Sequence, residues 1–246
     1  MKAVVLGGTK GIGRAMARLM VARGDSIHLL GRSPEDLERS ARDLELRGAA
    51  GTHVTWSLCD LMAPSTFAPA LEHAAAELGG FDTVVVTAGR FATQDRLEQD
   101  LELAAEVLTA DFTNTVLFCE HAREHLLASG GGTLCVFSSV AGDRGRKPVV
   151  LYGAAKAGLT RYLEGLDHRY QARGLRTVCV KPGFVRTSMT VGLPEPPFAA
   201  DADRVAATAL HAMDRGTPVV YAPGVWAVVM AIIRCLPRAV MRRVGF

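Results

Sequence analysis

Cysteine is scarce in this 246-residue sequence, and its five cysteines never form a Cys-x-x-Cys pair. An odd number of widely separated cysteines predicts neither a disulfide framework nor a zinc site, so we expect reduced thiols and no bound metal. The apolar run at residues 3–6 is too short for a signal peptide. These absences together lead us to expect a cytoplasmic protein.

Net charge is also low, because 28 basic residues oppose 25 acidic ones and leave a formal net charge of +3. A protein that binds nucleic acid by neutralising phosphates carries a larger basic excess, so nucleic acid is not an expected partner. Several basic residues are clustered near the C-terminal end with no acidic residue among them: Arg234, Arg238, Arg242 and Arg243. The body of the chain is therefore neutral and its tail is basic.

Linkers and repeats are absent too, and short apolar runs alternate along the chain with segments of helical periodicity. This alternation is typical of a parallel sheet with helices on both faces. We predict an α/β fold, a single doubly wound Rossmann domain with a seven-stranded, mostly parallel sheet. The predicted strands are residues 3–6, 26–30, 53–57, 83–86, 133–137, 176–180 and 219–221. Residues 192–200, which are rich in proline, are predicted to form an irregular loop or lid.

A glycine-rich turn follows the first predicted strand and precedes a segment of helical period at residues 14–22. Glycines let the backbone approach a ligand closely, and the first turn of a helix offers free N–H donors to a pyrophosphate. The spacing differs from the common Gly-x-Gly-x-x-Gly, so a purely structural turn is the alternative. We predict a dinucleotide site in this turn, formed by Gly7, Thr9, Lys10, Gly11, Ile12 and Gly13.

The residues after the second and third predicted strands bear on which dinucleotide binds. An acidic residue after the second strand would accept the 2′-hydroxyl of NAD, whereas Arg32, which occupies this place, suits the 2′-phosphate of NADP. Lys10 adds a second cation, so we predict NADP(H) in preference to NAD(H); the alternative is that both cations are merely solvated. Asp60 follows the third strand, where it would meet the adenine amino group or cap a loop.

Three residues of types used in catalysis lie at a specific spacing later in the chain. Tyr152 and Lys156 open an amphipathic segment soon after Ser139. At spacing i, i+4 the phenol and the ammonium share one helix face, where the cation stabilises phenolate. Free tyrosine titrates near about pH 10, so a tyrosine that exchanges protons needs such a neighbour. Ser139 follows an apolar strand, at the sheet edge where ligands bind in open α/β folds.

With these motifs the whole chain resembles the short-chain dehydrogenase/reductase family. The resemblance implies hydride transfer between a nicotinamide and a substrate carbonyl or alcohol. Ser139 would bond the reacting oxygen, Tyr152 would exchange the proton, and Lys156 would lower the tyrosine pKa and hold the nicotinamide ribose. It also implies cofactor contacts from two further motifs, whose members are Ala88, Gly89, Pro182, Gly183, Val185 and Thr187.

Two positions depart from the family pattern. Thr87 stands where the family has the asparagine of Asn-Ala-Gly, and Asp111 stands where an active-site asparagine is expected. That asparagine helps a water relay protons to the lysine, so the resemblance implies a catalytic relay role for Asp111, with an altered relay as the alternative. A silent NADP-binding sensor is the alternative function, against which the intact Ser139, Tyr152 and Lys156 argue.

The C-terminal extension, residues 216–246, is apolar and then basic. Its uncharged part provides only about twelve helical residues, too few to span a membrane. A short apolar helix with Trp226 at its boundary, followed by a basic amphipathic helix, would suit peripheral contact with the inner face of an anionic membrane. A subunit contact or a wall of the substrate pocket is the alternative.

The tail and residues 138–144 resemble a subgroup of the family that includes the reductase component of decaprenylphosphoryl-ribose 2-epimerase. This resemblance implies a lipid-linked or otherwise apolar ketone or alcohol as substrate. The long helices expected near residues 101–127 and 152–170 pair subunits in the family, which implies a homodimer or homotetramer. His121 and His125 match an inverted zinc-protease motif, but without a third ligand we interpret them as solvated or subunit-facing.

Overall fold

Parallel strands form one seven-stranded sheet in the computed structural model, which describes residues 1–245. The strands are β1 Lys2–Leu6, β2 Ser26–Gly31, β3 Val54–Leu58, β4 Thr83–Val86, β5 Gly132–Phe137, β6 Leu175–Pro182, β7 Val185–Arg186, β8 Ala200–Asp201 and β9 Val219–Ala222. The order across the large sheet is β3-β2-β1-β4-β5-β6-β9, and a separate two-stranded sheet pairs β7 with β8. The predicted sheet is therefore confirmed, and all of its pairings are parallel.

Helices connect successive strands and cover both faces of the sheet. They are α1 Gly11–Ala22, α2 Pro34–Arg47, α3 Phe67–Leu78, α4 Gln94–Gln99, α5 Leu101–Leu108, α6 Asn114–Ala128, α7 Val150–Tyr170, α8 Ala202–Arg215, α9 Val225–Cys235 and α10 Arg238–Met241. A π-helical turn, Thr109–Thr113, joins α5 to α6 into one rod. The pairing of subunits through this rod and α7 stays a prediction.

Two apolar layers hold the helices against the sheet. Val5 of β1 belongs to the layer beneath α1, α2 and α8, whereas its neighbour Val4 belongs to the layer beneath α3, α6 and α7. Successive strand residues point to opposite faces, so a strand buried on both sides is apolar throughout. In the second layer Phe67 of α3 meets Phe118 of α6 edge to face, with ring centroids 5.6 Å apart.

The strand order reverses beside β1, which pairs with β2 on one side and β4 on the other. At such a switch point the connections leave toward opposite faces, and a crevice opens beyond the carboxyl ends of the strands. The glycine turn follows β1, and the segments that carry Arg32, Asp60 and Ser139 follow β2, β3 and β5. The topology therefore brings the predicted site residues to one edge.

The C-terminal extension begins as part of the domain, because β9 pairs with β6 at the edge of the sheet. The apolar helix predicted from residues 225–233 is α9. The basic helix predicted after it is short and separate: Leu236 is extended, and α10 spans four residues. Pro237 is the reason, since a proline excludes the helical conformation from the residue before it. Among residues 1–245 there is no helix of the length and apolarity that crossing a membrane requires.

Candidate active site

A cavity of about 850 Å³ opens at the carboxyl edge of the sheet. Every residue predicted to bind the cofactor or to act in catalysis lines it: Gly7, Thr9, Lys10, Gly11, Ile12, Gly13, Arg32, Asp60, Ala88, Gly89, Asp111, Ser139, Tyr152, Lys156, Pro182, Gly183, Val185 and Thr187. Eight separate stretches of sequence supply these residues, and the parallel sheet brings them together. Their individual roles stay predictions.

The glycine turn has the shape that a dinucleotide requires. Gly7 and Gly11 adopt left-handed conformations, with φ of +92° and +52°. A Cβ atom on Gly13 would lie 2.2 Å from the carbonyl oxygen of Gly7, so the turn cannot close with any side chain there. Helix α1 begins at Gly11, and its first three residues, whose N–H groups have no partner within the helix, line the cavity. The turn therefore fits a pyrophosphate.

The segment that follows β6 reaches over this turn. A Cβ atom on Gly11 would come within 3.3 Å of Cγ2 of Thr187. Thr187 is held in turn by Thr190, whose hydroxyl accepts a hydrogen bond from the Thr187 N–H at 3.1 Å. The predicted nicotinamide loop and the predicted pyrophosphate turn are therefore neighbours, as one extended ligand would require.

At the predicted adenosine end of the cavity, Lys10 forms an ion pair within the protein. Its ammonium lies 2.7 Å from a carboxylate oxygen of Asp36, which lines the cavity and which sequence reasoning missed. The hydrogen bond from Lys10 holds the pKa of Asp36 below its usual range. Lys10, the predicted second cation, is therefore paired with a carboxylate, and its role toward the cofactor stays a prediction. Arg32 is exposed at the mouth of the cavity.

Asp60 has a local structural role as well as a place in the cavity wall. Its carboxylate accepts a hydrogen bond from the backbone N–H of Met62 at 2.9 Å. Its own N–H donates to the hydroxyl of Thr66 at 3.2 Å. These bonds match the loop-capping alternative. The contact with an adenine amino group stays a prediction.

Tyr152, Lys156 and Ser139 meet at the opposite end of the cavity. The ammonium of Lys156 is buried, donates to the carbonyl oxygen of Phe137 at 3.3 Å and lies 5.6 Å from the centre of the Tyr152 ring. Burial raises the pKa of Tyr152, while Lys156 and the Ser139 hydroxyl act in the opposite direction. The Ser139 hydroxyl accepts a hydrogen bond from the Ala141 N–H at 3.1 Å. A protonated phenol therefore faces a cation that would stabilise its phenolate.

Asp111 lies behind Lys156, in the π-helical turn that interrupts the long rod. Such turns redirect side chains and recur at functional sites. One carboxylate oxygen accepts a hydrogen bond from the Arg90 N–H at 2.6 Å, and the other lies 4.0 Å from the Lys156 ammonium. Asp111 is completely buried, which raises its pKa. Asp111 and Tyr152 raise the pKa of Lys156 against the lowering effect of burial.

The departure at Thr87 has a structural consequence. Its hydroxyl donates to the carbonyl oxygen of Leu6 at 3.1 Å, which joins the ends of β4 and β1. A Cβ atom on Gly13 would lie 2.4 Å from this hydroxyl. The threonine therefore fastens the strand ends beneath the glycine turn.

The C-terminal extension forms part of the cavity wall, and its side chains there are apolar. The lining of the cavity includes the loop at residues 187–199 and three side chains of α9, namely Trp226, Val229 and Ile233. Phe198 of the loop meets Trp226 edge to face at 6.1 Å. The inner face of α9 therefore matches the pocket-wall alternative. The irregular loop expected at residues 192–200 extends to residue 199, and Ala200 opens β8.

A buried ion pair that the sequence did not reveal ties three walls of the cavity together. Lys181, at the end of β6, lies 2.6 Å from Asp143, which follows the Ser139 turn. Tyr221 of β9 donates a hydrogen bond to the same carboxylate at 2.6 Å. Both charged side chains are almost wholly inaccessible to solvent. The serine segment, the nicotinamide segment and the strand before α9 are therefore held in one register.

Comparison with known proteins agrees with this architecture. A family model described as short chain dehydrogenase matches residues 1–197. The chain belongs to the short-chain dehydrogenase family. Oxidoreductases of this kind interconvert C–OH and C=O groups, and the family implies an NAD(P) cofactor, which the glycine turn fits.

Individual proteins similar to this short-chain dehydrogenase include two curated relatives and one solved structure. An uncharacterized oxidoreductase of Mycobacterium tuberculosis is 34% identical over 240 residues, 98% of this chain and 95% of its own. The cis-4-hydroxycyclohexanecarboxylate dehydrogenase of Sinomonas cyclohexanicum is 34% identical over 196 residues, 78% of this chain and 76% of its own. A solved short-chain dehydrogenase/reductase of Mycobacterium ulcerans shares the fold, with a TM-score of 0.82 at 24% identity, covering 89% of this chain and 86% of its own.

The family match ends at Pro197, within the loop over the substrate end. Helix α9, which completes the cavity wall, therefore lies outside the part that the family model describes.

Among residues 1–245 no group of three His, Cys, Asp or Glu side chains is arranged to hold a metal ion. His125 packs against the ring of Phe81, with centroids 5.6 Å apart.

Replacing Lys181 tests the buried ion pair of this short-chain dehydrogenase. Lys181→Met should lower the free energy of unfolding by about 3 to 5 kcal/mol, because Asp143 would stay buried without its countercharge. Urea denaturation measures the change, and Lys147→Met, at an exposed lysine nearby, should leave stability unchanged. Equal stability of the two variants would show that the ion pair does not hold these walls together.

Proposed function

We propose that this chain is an NADPH-dependent carbonyl reductase that uses Ser139, Tyr152 and Lys156. The observation that carries the proposal is the arrangement of one cavity. A glycine turn suited to a pyrophosphate lines one end, and a half-buried tyrosine beside a buried lysine and a buried serine lines the other. A nicotinamide dinucleotide supplies the hydride when it is bound.

Tyr152 is the proton donor of the proposed reduction. Burial raises its pKa, so the phenol is protonated when a ketone enters and has a proton to give to the carbonyl oxygen. Ser139 donates a hydrogen bond to that oxygen as charge develops on it. The Lys156 ammonium then stabilises the phenolate that remains. Oxidation of the alcohol uses the same residues in reverse.

Asp111 keeps Lys156 charged. A lysine ammonium buried alone would lose its proton, because burial disfavours the charged form. The carboxylate at 4.0 Å opposes this effect. We also propose that protons reach Lys156 through Asp111. In support, one carboxylate oxygen of Asp111 is buried and accepts no hydrogen bond within residues 1–245.

Replacing Tyr152 with phenylalanine tests the mechanism. With NADPH and a panel of ketones, Tyr152→Phe should lower kcat by about 100- to 10,000-fold, the usual contribution of a proton-transfer group. Binding of NADPH, followed by fluorescence titration, should be unchanged. Tyr170→Phe, on the same helix, is the matched control and should retain turnover. NADPH binding without oxidation by any ketone in the wild type would instead favour a silent sensor.

Arg32 is the proposed determinant of cofactor choice. Arg32 follows β2 and lines the cavity. The ion pair with Lys10 offsets the charge of the Asp36 carboxylate, which would otherwise repel a phosphate. Arg32→Gln should reduce the preference for NADPH over NADH by about 10- to 100-fold in kcat/KM, because a charge-assisted hydrogen bond is lost. Arg42→Gln, at an exposed arginine of α2, is the control. Equal use of NADH by the wild type would refute the assignment.

The outer face of α9 supports a further proposal, peripheral contact with an anionic membrane and use of a lipid-linked or otherwise apolar ketone. Val228 and Ile232 are 64% and 61% exposed on this face, and Arg238 and Arg242 beyond it are exposed too. Apolar side chains beside cations are the combination that such a surface attracts. The inner face of the same helix would then wall the substrate end.

Vesicle sedimentation tests the membrane contact. The protein should bind phosphatidylglycerol vesicles and not phosphatidylcholine vesicles, and the double variant Arg238→Gln, Arg242→Gln should bind at least about fivefold more weakly. Ile232→Asp should weaken binding further, whereas Leu46→Asp, at an exposed leucine of α2, should not. Equal binding to both vesicle types would contradict a contact that depends on the basic residues.

A further inference from the structure

Arg146 lines the cavity from the segment that joins the Ser139 turn to α7. It lies six residues before Tyr152 and directly before the short 3₁₀ turn Lys147–Val149. The neighbouring Pro148 and Val149 also line the cavity. The guanidinium is therefore part of the wall beside the proposed proton donor.

The donors of Arg146 are unused by the protein. Within residues 1–245 its side chain donates no hydrogen bond and has no carboxylate within 4.0 Å, and its Nε atom is buried without a partner. The carboxylate of Asp143 is already engaged by Lys181 and Tyr221. Burial lowers the pKa of Arg146, and the charge of Asp143 opposes this effect. Buried donors normally have acceptors, so this one calls for an acceptor from outside the chain.

Other charges in the cavity wall differ in this respect. Arg90 pairs with Glu106, and the Lys156 ammonium lies near the Asp111 carboxylate. Arg146 is half-buried among residues that line a largely apolar substrate end, where a charged group gains most from a partner of opposite sign. Apart from Arg32, Arg146 is the cation of the cavity wall that makes no ion pair within residues 1–245.

The segment that carries Arg146 is anchored on both sides. Asp143 is held by Lys181, and Arg144 donates to the carbonyl oxygen of Leu236 at 2.8 Å, at the end of α9. After Arg146 the chain enters the 3₁₀ turn and then α7. A guanidinium held in place in this way loses less freedom when it binds a ligand, which favours a recognition role.

We propose that Arg146 binds an anionic group of the substrate, and that this chain selects ketones with a carboxylate or a phosphate on an apolar body. The inference rests on the proposed carbonyl reductase function and names its substrate class. A guanidinium matches the planar carboxylate and the phosphate in a bidentate manner. The apolar wall formed by Trp226, Val229 and Ile233 accepts the rest of the molecule.

Turnover of matched substrate pairs tests the proposal. One arm compares keto acids of graded length, such as 5-oxohexanoate, 7-oxooctanoate and 9-oxodecanoate, with their methyl esters; the other compares keto-alkyl phosphates with the neutral alcohols. The wild type should prefer at least one anion over its neutral partner by about 10- to 100-fold in kcat/KM. Whichever arm shows the preference identifies the anion.

Variants of Arg146 test whether this residue causes the preference for the anion over its neutral partner. In Arg146→Met the preference should fall to about 1 through a higher KM for the anion. Arg146→Lys should recover part of it, and Lys147→Met should behave like the wild type because Lys147 does not line the cavity. An anion preference that survives in Arg146→Met, or a wild type with no preference in either arm, overturns the inference while the reductase function stands.

Binding of unreactive anions keeps the test independent of turnover. Calorimetric titration of the NADP⁺-saturated protein with octanoate and with octyl phosphate should give a Kd about 10- to 100-fold weaker for Arg146→Met than for Lys147→Met. Octanol should bind both variants alike. Equal affinities of the variants for both anions would overturn the assignment of Arg146 even if no ketone is reduced, whereas failure of the reductase function alone would leave the anion binding intact.

Discussion

The buried ammonium of Lys156 is the group on which the catalytic end of the cavity depends. It contacts the carbonyl oxygen of Phe137 at the end of β5, faces the carboxylate of Asp111 and lies beside the ring of Tyr152. A cation so placed is stable only while these partners stay fixed, because burial alone would remove its proton. The π-helical turn that carries Asp111 is therefore as much a part of the site as the tyrosine itself.

Tight backbone packing keeps these groups at their distances. A Cβ atom on Gly142 would lie 2.7 Å from the Ala157 N–H group, and one on Gly89 would lie 2.7 Å from a carboxylate oxygen of Asp111. The hydroxyl of Ser138 donates to the carbonyl oxygen of Lys156 at 2.9 Å. The serine segment is thereby held directly on α7. Such contacts preorganise the donors, which is the main way that a protein accelerates the chemistry of a bound cofactor.

Most cations that line the cavity lie in ion pairs, and two arginines are the exceptions. Lys10 is neutralised by Asp36, and the Asp143–Lys181 pair holds the walls together. Arg32 at the cofactor end and Arg146 in the segment before α7 make no ion pair in the part of the chain described by the structure. The net charge of +3 is therefore no guide to what the protein binds. The positions of the unpaired cations are the better guide.

The sheet, the glycine turn and the Ser139, Tyr152 and Lys156 set are predictable from the sequence, because strand periodicity, glycine spacing and the i, i+4 relation are local properties of a chain. Four other features emerge with the tertiary structure: Lys10 is paired, Leu236 and Pro237 separate α9 from α10, α9 walls the cavity, and Arg146 has no partner within residues 1–245. The tertiary features depend on which side chains meet across long separations. Asp143 and Tyr221 are 78 residues apart, and no period or spacing in the sequence records that they share a hydrogen bond.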